Sequence, residues 1–211
     1  MGNYFIRAFT VALFVLLFNN MQAQFRYGII GGLNIANLSN SYADETFYKN
    51  GLVLGAVLDY NINEKTSVRF EPRYTQKGQV NRRIFIDAEA ENKIKLNYFE
   101  LPIYLTYNFT NTKISPYILG GLNFSYLLSA EMESKYLSFF SEQEINTVSN
   151  ISNKSWDYSL EAGIGFEYKI TSKISTLVDI RYSYGLVNNQ PGMKNNRTRG
   201  IQFLMGYLFA F

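Results

Sequence analysis

Seven charged residues stand out as able to do chemistry together: Arg69, Glu71 and Arg73 on one segment, Glu100 on the next, and Glu161, Asp179 and Arg181 on two later ones. Carboxylates set among guanidinium groups have three uses. They can neutralise one another as ion pairs in a confined interior, line a narrow polar path, or act as a general acid–base pair. The chain has no His and no Cys, which removes the commonest catalytic base and the thiolate nucleophile. A structural ion network is therefore the expected use, with no enzyme activity, no catalytic residue, no cofactor and no metal site. The alternative is a narrow channel for ions or small solutes.

What positions these charges is a two-residue alternation. In residues 95–109, Phe99, Leu101, Ile103, Leu105, Tyr107 and Phe109 make one unbroken apolar set, while Tyr98, Glu100, Pro102, Tyr104, Thr106 and Asn108 make the other. Successive side chains of a strand point to opposite faces, so this is a long two-faced strand. The same pattern recurs in residues 25–38, 51–62, 66–77, 116–128, 157–170, 174–185 and 200–211. In each case the candidate charges share the polar face. Asp59 and Glu167 lie on that face as well, as do Tyr117 and Leu119.

Eight strands follow, joined alternately by long and short connections, with residues 129–156 the longest. Such asymmetry belongs to closed up-and-down antiparallel barrels of the outer membrane. With an apolar face turned to lipid, closure is obligatory, because no backbone group can be left unpaired there. Tyr60, Tyr107, Phe109, Tyr168 and Phe211 fall near the short-turn ends, and Tyr74, Phe99, Tyr126, Tyr158 and Tyr184 near the long-loop ends. Those are the two levels of an aromatic girdle. A lipocalin-like barrel would turn the apolar set inward. An eight-stranded interior is too narrow for so many large side chains, and the Gly, Ser, Thr and Asn of the polar face suit it better.

The 211-residue chain carries Tyr and Phe at 17 each, a formal net charge of +3 and 18% charged residues. That charge is too small to imply nucleic acid as a partner. Arg7 precedes an apolar run at residues 8–18, and Met21 and Ala23 occupy the −3 and −1 positions of a signal-peptidase site. Residues 1–23 are expected to be a cleaved signal peptide and residues 24–211 the barrel domain, exported to the bacterial outer membrane. The expected partners are outer-membrane lipids, the barrel-insertion machinery and an unidentified extracellular or periplasmic protein, with the barrel itself a monomer.

Three further features invite a role. Tyr136, Leu137, Phe139 and Phe140 make the longest loop more apolar than solvent exposure requires, as a flap on the barrel mouth, as a strand continuing above the membrane, or as a contact patch for a protein or glycan. Lys194, Arg197 and Arg199 are solvated charges or partners for lipid phosphate. Tyr207, Phe209 and Phe211 alternate to the last residue, as an assembly signal would.

The segments FELPIYLTYNF (99–109) and YILGG (117–121), with the Ala23–Gln24 junction and the aromatic end at Phe211, resemble the Bacteroidetes outer-membrane β-barrel family of PorT-type or porin-family proteins. The resemblance covers residues 25–211 and implies an eight-stranded outer-membrane barrel. It implies no reaction and no substrate.

Overall fold

The computed structural model of the protein describes residues 25–38, 45–85, 88–138, 144–150, 155–187 and 197–210. The expected signal peptide, Phe139, Phe140, Lys194 and Phe211 lie outside the described residues. Among the described residues no helix is long and apolar enough to cross a membrane.

Among the described residues the regular structure is one antiparallel sheet of ten strands. These are β1 (Phe25–Leu38), β2 (Glu45–Asn61), β3 (Thr66–Phe70), β4 (Arg73–Ile84), β5 (Ala88–Asn108), β6 (Ile114–Ser138), β7 (Glu144–Asn150), β8 (Trp156–Lys169), β9 (Ile174–Gly185) and β10 (Thr198–Ala210). β1 pairs with both β2 and β10, and β5 pairs with β6 as well as with β3 and β4. β6 continues the pairing to β8, β8 to β9 and β9 to β10.

The count of ten departs from the expected eight for two physical reasons. The strand expected over 66–77 is cut at Glu71–Pro72, because proline has no N–H to give the ladder. Register nevertheless passes through the cut. Glu71 N–H donates to Pro102 O at 3.2 Å and Ala56 N–H to Pro72 O at 3.0 Å, so Arg69, Glu71 and Arg73 stay on one face. The other extra strand, β7, lies inside the stretch expected to be the longest loop and pairs with residues 131–137 of β6.

Strands also run well beyond the expected boundaries. Of residues 78–92, expected to be a polar connection, 78–84 and 88–92 form the ends of β4 and β5, paired from Gly78↔Lys95 to Ile84↔Glu89. Cross-strand ion pairs from Arg82 to Glu89 and Glu91, at 2.9 and 3.2 Å, decorate this part. Ladder hydrogen bonds build a strand here without an apolar face, so no hydrophobic alternation announces it. Beneath it Ile94, Leu96 and Tyr98 form a small cluster with Leu127, Ala130 and Met132.

The two faces follow the alternation. Outward residues such as Ile29, Leu54, Leu105, Ile164 and Met205 are 56–64% exposed although apolar, the sign of a surface meant for a non-aqueous neighbour. Aromatic rings gather at both ends of that surface. At the short-turn end Phe25 meets Tyr60 with centroids 5.0 Å apart, and Tyr107 meets Phe109 edge-on at 5.6 Å. At the long-loop end Tyr126 meets Trp156 at 5.0 Å and Phe124 meets Tyr158 at 5.9 Å.

The inward face needs a correction. Small residues were expected to fill it, yet Tyr98, Tyr104 and Tyr117 are buried there. Ile30, Val53, Val57, Leu119, Leu177, Leu204 and Leu208 form an apolar cluster with Tyr104 and Tyr117. β1, β2 and β10 thus offer one largely apolar inner wall, opposite strands rich in charge.

The pairing of first and last strands can be tested cleanly in a chain without cysteine. Ile29 faces Tyr207 across β1 and β10, close enough for a disulfide. The Ile29→Cys/Tyr207→Cys variant should cross-link on oxidation, seen as a faster band on non-reducing gels after denaturation. Ile29→Cys with Phe203→Cys, offset by four residues, should not.

Candidate functional site

The inward charges converge into one continuous chain of alternating sign. At the short-turn end, Arg26 donates to both Glu167, at 2.5 Å, and Asp59, at 2.9 Å. Asp59 also takes a two-pronged pair from Arg69, with Nε to Oδ1 at 2.7 Å and Nη2 to Oδ2 at 2.9 Å. Glu71 stands 3.9 Å from Arg69 and 3.7 Å from Arg73, and accepts both terminal nitrogens of Arg181. Arg181 folds back on Asp179, Nε to Oδ1 at 2.7 Å, and Tyr117 donates to the other Asp179 oxygen at 2.7 Å.

The chain continues towards the long-loop end through Arg73. Its Nε donates to Glu100 at 2.8 Å and its Nη2 to both oxygens of Glu161 at 2.9 Å. Tyr104 and Asn123 also donate to Glu161. Glu100 is saturated by Arg73, Thr75 at 2.9 Å, Ser125 at 3.2 Å and Lys77 at 2.6 Å. Aromatic faces complete the cage, with Arg69 over Tyr117 at 5.4 Å, Arg181 over Tyr104 at 4.8 Å and Lys77 over Tyr98 at 5.1 Å. Ring quadrupoles add attraction where desolvation is greatest.

All seven candidates from the sequence are therefore in one site. Reading the sequence missed Arg26, Asp59, Lys77, Glu167, Tyr104 and Tyr117 as members. Asp59, Glu167 and the two tyrosines sat on the correct face; strand register brings them to the others, with Asp59 directly opposite Arg69 across β2 and β3. Lys77 closed the expected strand and Arg26 opened another, with no spacing to tie either to a carboxylate.

Buried charge of this kind is tolerable only when paired and hydrogen-bonded. Arg73, Arg181 and Glu100 are each 0–1% exposed, so no solvent shares the load. The arrangement neutralises, positions and excludes water. Glu100 and Glu161 both lie against Arg73, so the two carboxylates face a cation rather than a reactive opening. Among the described residues no group of three or more metal-ligating side chains is placed to hold a metal ion.

Both ends of the network open onto polar space. Below it, an open vestibule of about 520 Å³ is lined by Arg26, Asn108, Ser115, Glu167, Lys169 and neighbours. Above it, Gln79 Oε1, Tyr98 OH, Ser159 Oγ and both ends of the Gln202 amide are buried without a protein partner. Buried polar atoms of that kind call for water.

Residues 19–190 match the family described as "Outer membrane protein beta-barrel domain". The chain belongs to this family. Membership indicates the bacterial outer membrane. No curated protein matches. Neisserial surface protein A resembles the fold with a TM-score of 0.51 at 17% identity, over 89% of this chain and 97% of that one. OprG of Pseudomonas aeruginosa aligns with a TM-score of 0.47 at 18% identity, over 90% and 98%. Ail of Yersinia pestis does so at 0.40 and 16%, over 88% and 99%. At these identities the likeness speaks for fold alone, with the first of the three carrying it.

The remaining candidates divide. Tyr136 and Leu137 lie on β6 and are 42% and 40% exposed, so of the readings open for them the continuing strand is the one the sheet takes. Arg197 donates to Tyr184 OH at 3.1 Å, and Arg199 lies over the same ring at 5.2 Å. Tyr207 is exposed, and Phe209 packs on Tyr27 at 5.7 Å.

One substitution pair separates inner from outer face. Glu100→Leu leaves the buried Arg73 and Lys77 each short of a partner, and should cost about 3–5 kcal/mol. Leu101→Ala removes an outward side chain that is already 40% exposed, so detergent or lipid fills the gap and the loss is smaller. Denaturant unfolding in detergent micelles should rank Glu100→Leu as the more damaging, and the reverse order would exchange the two faces.

Proposed function

We propose that the protein is a closed, monomeric outer-membrane barrel of eight staves with a sealed lumen and a non-enzymatic, structural or binding role. The count treats β3 and β4 as one interrupted stave and β7 as an accessory strand. The pairings of β1 with β10 and β5 with β6 support closure. The observation that carries the sealed lumen is the complete burial of Arg69, Arg73 and Arg181, each at most 2% exposed, with carboxylates on every side. Specificity then resides in the sheet extending past the long-loop end, where β4, β5, β6 and β7 run on and Tyr136 pairs with Ile145. The narrower Bacteroidetes PorT-type membership is supported by FELPIYL and YILGG. An even number of staves would start β1 and end β10 on the same, short-turn side, which in this reading is the periplasmic one.

A narrow channel is the second reading. It is favoured by the vestibule below the network and the unpartnered polar atoms above it, which would make two polar half-paths interrupted by the ion pairs.

Two measurements test these readings. Sodium carbonate extraction should leave the protein in the membrane pellet, and release into the soluble fraction would overturn the barrel. In planar bilayers the wild type should show no stable unitary conductance. A steady conductance that shifts in Arg181→Gln or Glu100→Gln would decide for the channel.

The barrel-insertion machinery is the proposed reader of the C-terminal aromatics. Deleting residues 209–211 should leave export intact and abolish the heat-modifiable, folded band in the outer membrane. Normal amounts of that band would refute the assignment.

A further inference from the structure

The outer wall carries a basic concavity at its long-loop rim that the lumen network does not use. It encloses about 510 Å³ and is lined by Lys49, Lys93 and Lys95 together with the amides of Asn50, Gln76 and Asn97. Two register shifts set the charges around it, and two of its lysines face outward without them. β2 has one more residue than β4 between Tyr48 and Val53, so the inward–outward alternation reverses there. In the register of Val53 and Asp59, Lys49 would point into the lumen; the bulge turns it outward. β6 has one more residue than β5 beside Asn97 and Tyr98, which turns Glu131 and Glu133 outward in the same way. Lys93 and Lys95 keep the outward parity of Phe99 and Leu101.

The floor of the concavity is Gly78. Its φ is +151°, and a Cβ there would stand 2.0 Å from Ile94 O and 2.9 Å from Lys49 Cδ. Only glycine leaves room for the Lys49 stem to lie across the strand. Lys49 Nζ reaches Lys77 O at 3.4 Å, and Lys95 pairs with Glu133. Three ammonium groups thus face the acids Glu131 and Glu133, an excess of positive charge. Burial, then the neighbouring Lys93 and Lys95, lower the Lys49 pKa; an added anion would relieve that crowding.

Depth identifies the occupant. Phe99, Tyr126 and Trp156 are outward-facing on adjacent strands, and such a band marks where hydrocarbon gives way to headgroups. Lys95 lies four residues past Phe99, about 13 Å along the strand. Lysine stems bend back toward that boundary. The groups meeting a sideways-facing lysine trio at this level are lipid headgroups.

We infer that this concavity binds the phosphate of an anionic lipid in the outer leaflet, held by Lys49, Lys93 and Lys95 with the adjacent amides. The inference rests on the outer-membrane barrel reading, whose own failure shows separately as release by carbonate.

The full mature chain, folded in zwitterionic detergent and verified by heat modifiability, can be titrated and followed by native mass spectrometry. The probes are diphosphoryl lipid A, the same lipid stripped of both phosphates, and inorganic phosphate. The phosphorylated lipid should bind best. Lys93→Gln alone should weaken it roughly fivefold, and Lys49→Gln/Lys93→Gln/Lys95→Gln about a hundredfold. Lys113→Gln/Lys173→Gln, at the opposite end, should change nothing. Undiminished binding by the folded Lys93→Gln and triple variants would overturn the inference. So would equal affinity for the dephosphorylated lipid, or displacement of lipid by inorganic phosphate at matching concentration.

Discussion

Desolvated charge on the inner face of the sheet governs this structure. An interior of the width proposed above has room for side chains and little else. Once Arg69, Arg73 and Arg181 enter it, each must find carboxylates there, because water cannot reach them. The planar guanidinium fork suits that task, since it can engage two carboxylates at once with fixed geometry. Arg73 does so with Glu100 and Glu161, and Arg181 with Glu71 and Asp179. The partners sit on β3–β4, β5, β8 and β9, so the network holds in place strands far apart in the chain. A register slip of one residue in any of them would send its charges to the lipid face.

The remaining inner surface complements that arrangement. Ile30, Val53, Val57, Leu204 and Leu208 supply apolar wall on β1, β2 and β10. These residues ask for no hydrogen-bond partner where the first and last strands meet. Tyrosines join the two regions. Tyr104 and Tyr117 belong to the apolar cluster through their rings and to the charge network through their hydroxyls. In the sealed-lumen reading proposed above, the ends and the outer wall remain as the surfaces able to engage anything else. There the extended hairpins and the lysine-lined concavity lie.

Much of this was legible along the chain. Alternation assigned the face of every candidate charge, from Arg69 to Arg181, and located β1, β8, β9 and β10 closely. It failed at residues 78–84, 88–92, 129–138 and 144–150, where strands continue without an apolar face. Their stability comes from ladder hydrogen bonds and cross-strand pairs such as Arg82 with Glu91, which leave no periodic trace in hydropathy. Pro72 was compatible with a strand pattern and still cut one, because the pattern is blind to a missing N–H.

By itself, the sequence determined which residues share a face, because a strand's period of two is a local property of L-amino-acid backbone. It also determined that the apolar face needs a non-aqueous neighbour and that the charges oppose it. Only the tertiary structure decided which charge meets which. Arg73 and Glu161 are 88 residues apart, and Arg181 and Glu71 are 110 apart. Such pairs depend on strand register and on the sheet's return to its own first strand. The same is true of Lys49: a single extra residue in β2 moves it from the inner face to the outer one, and strand pairing alone reveals that residue.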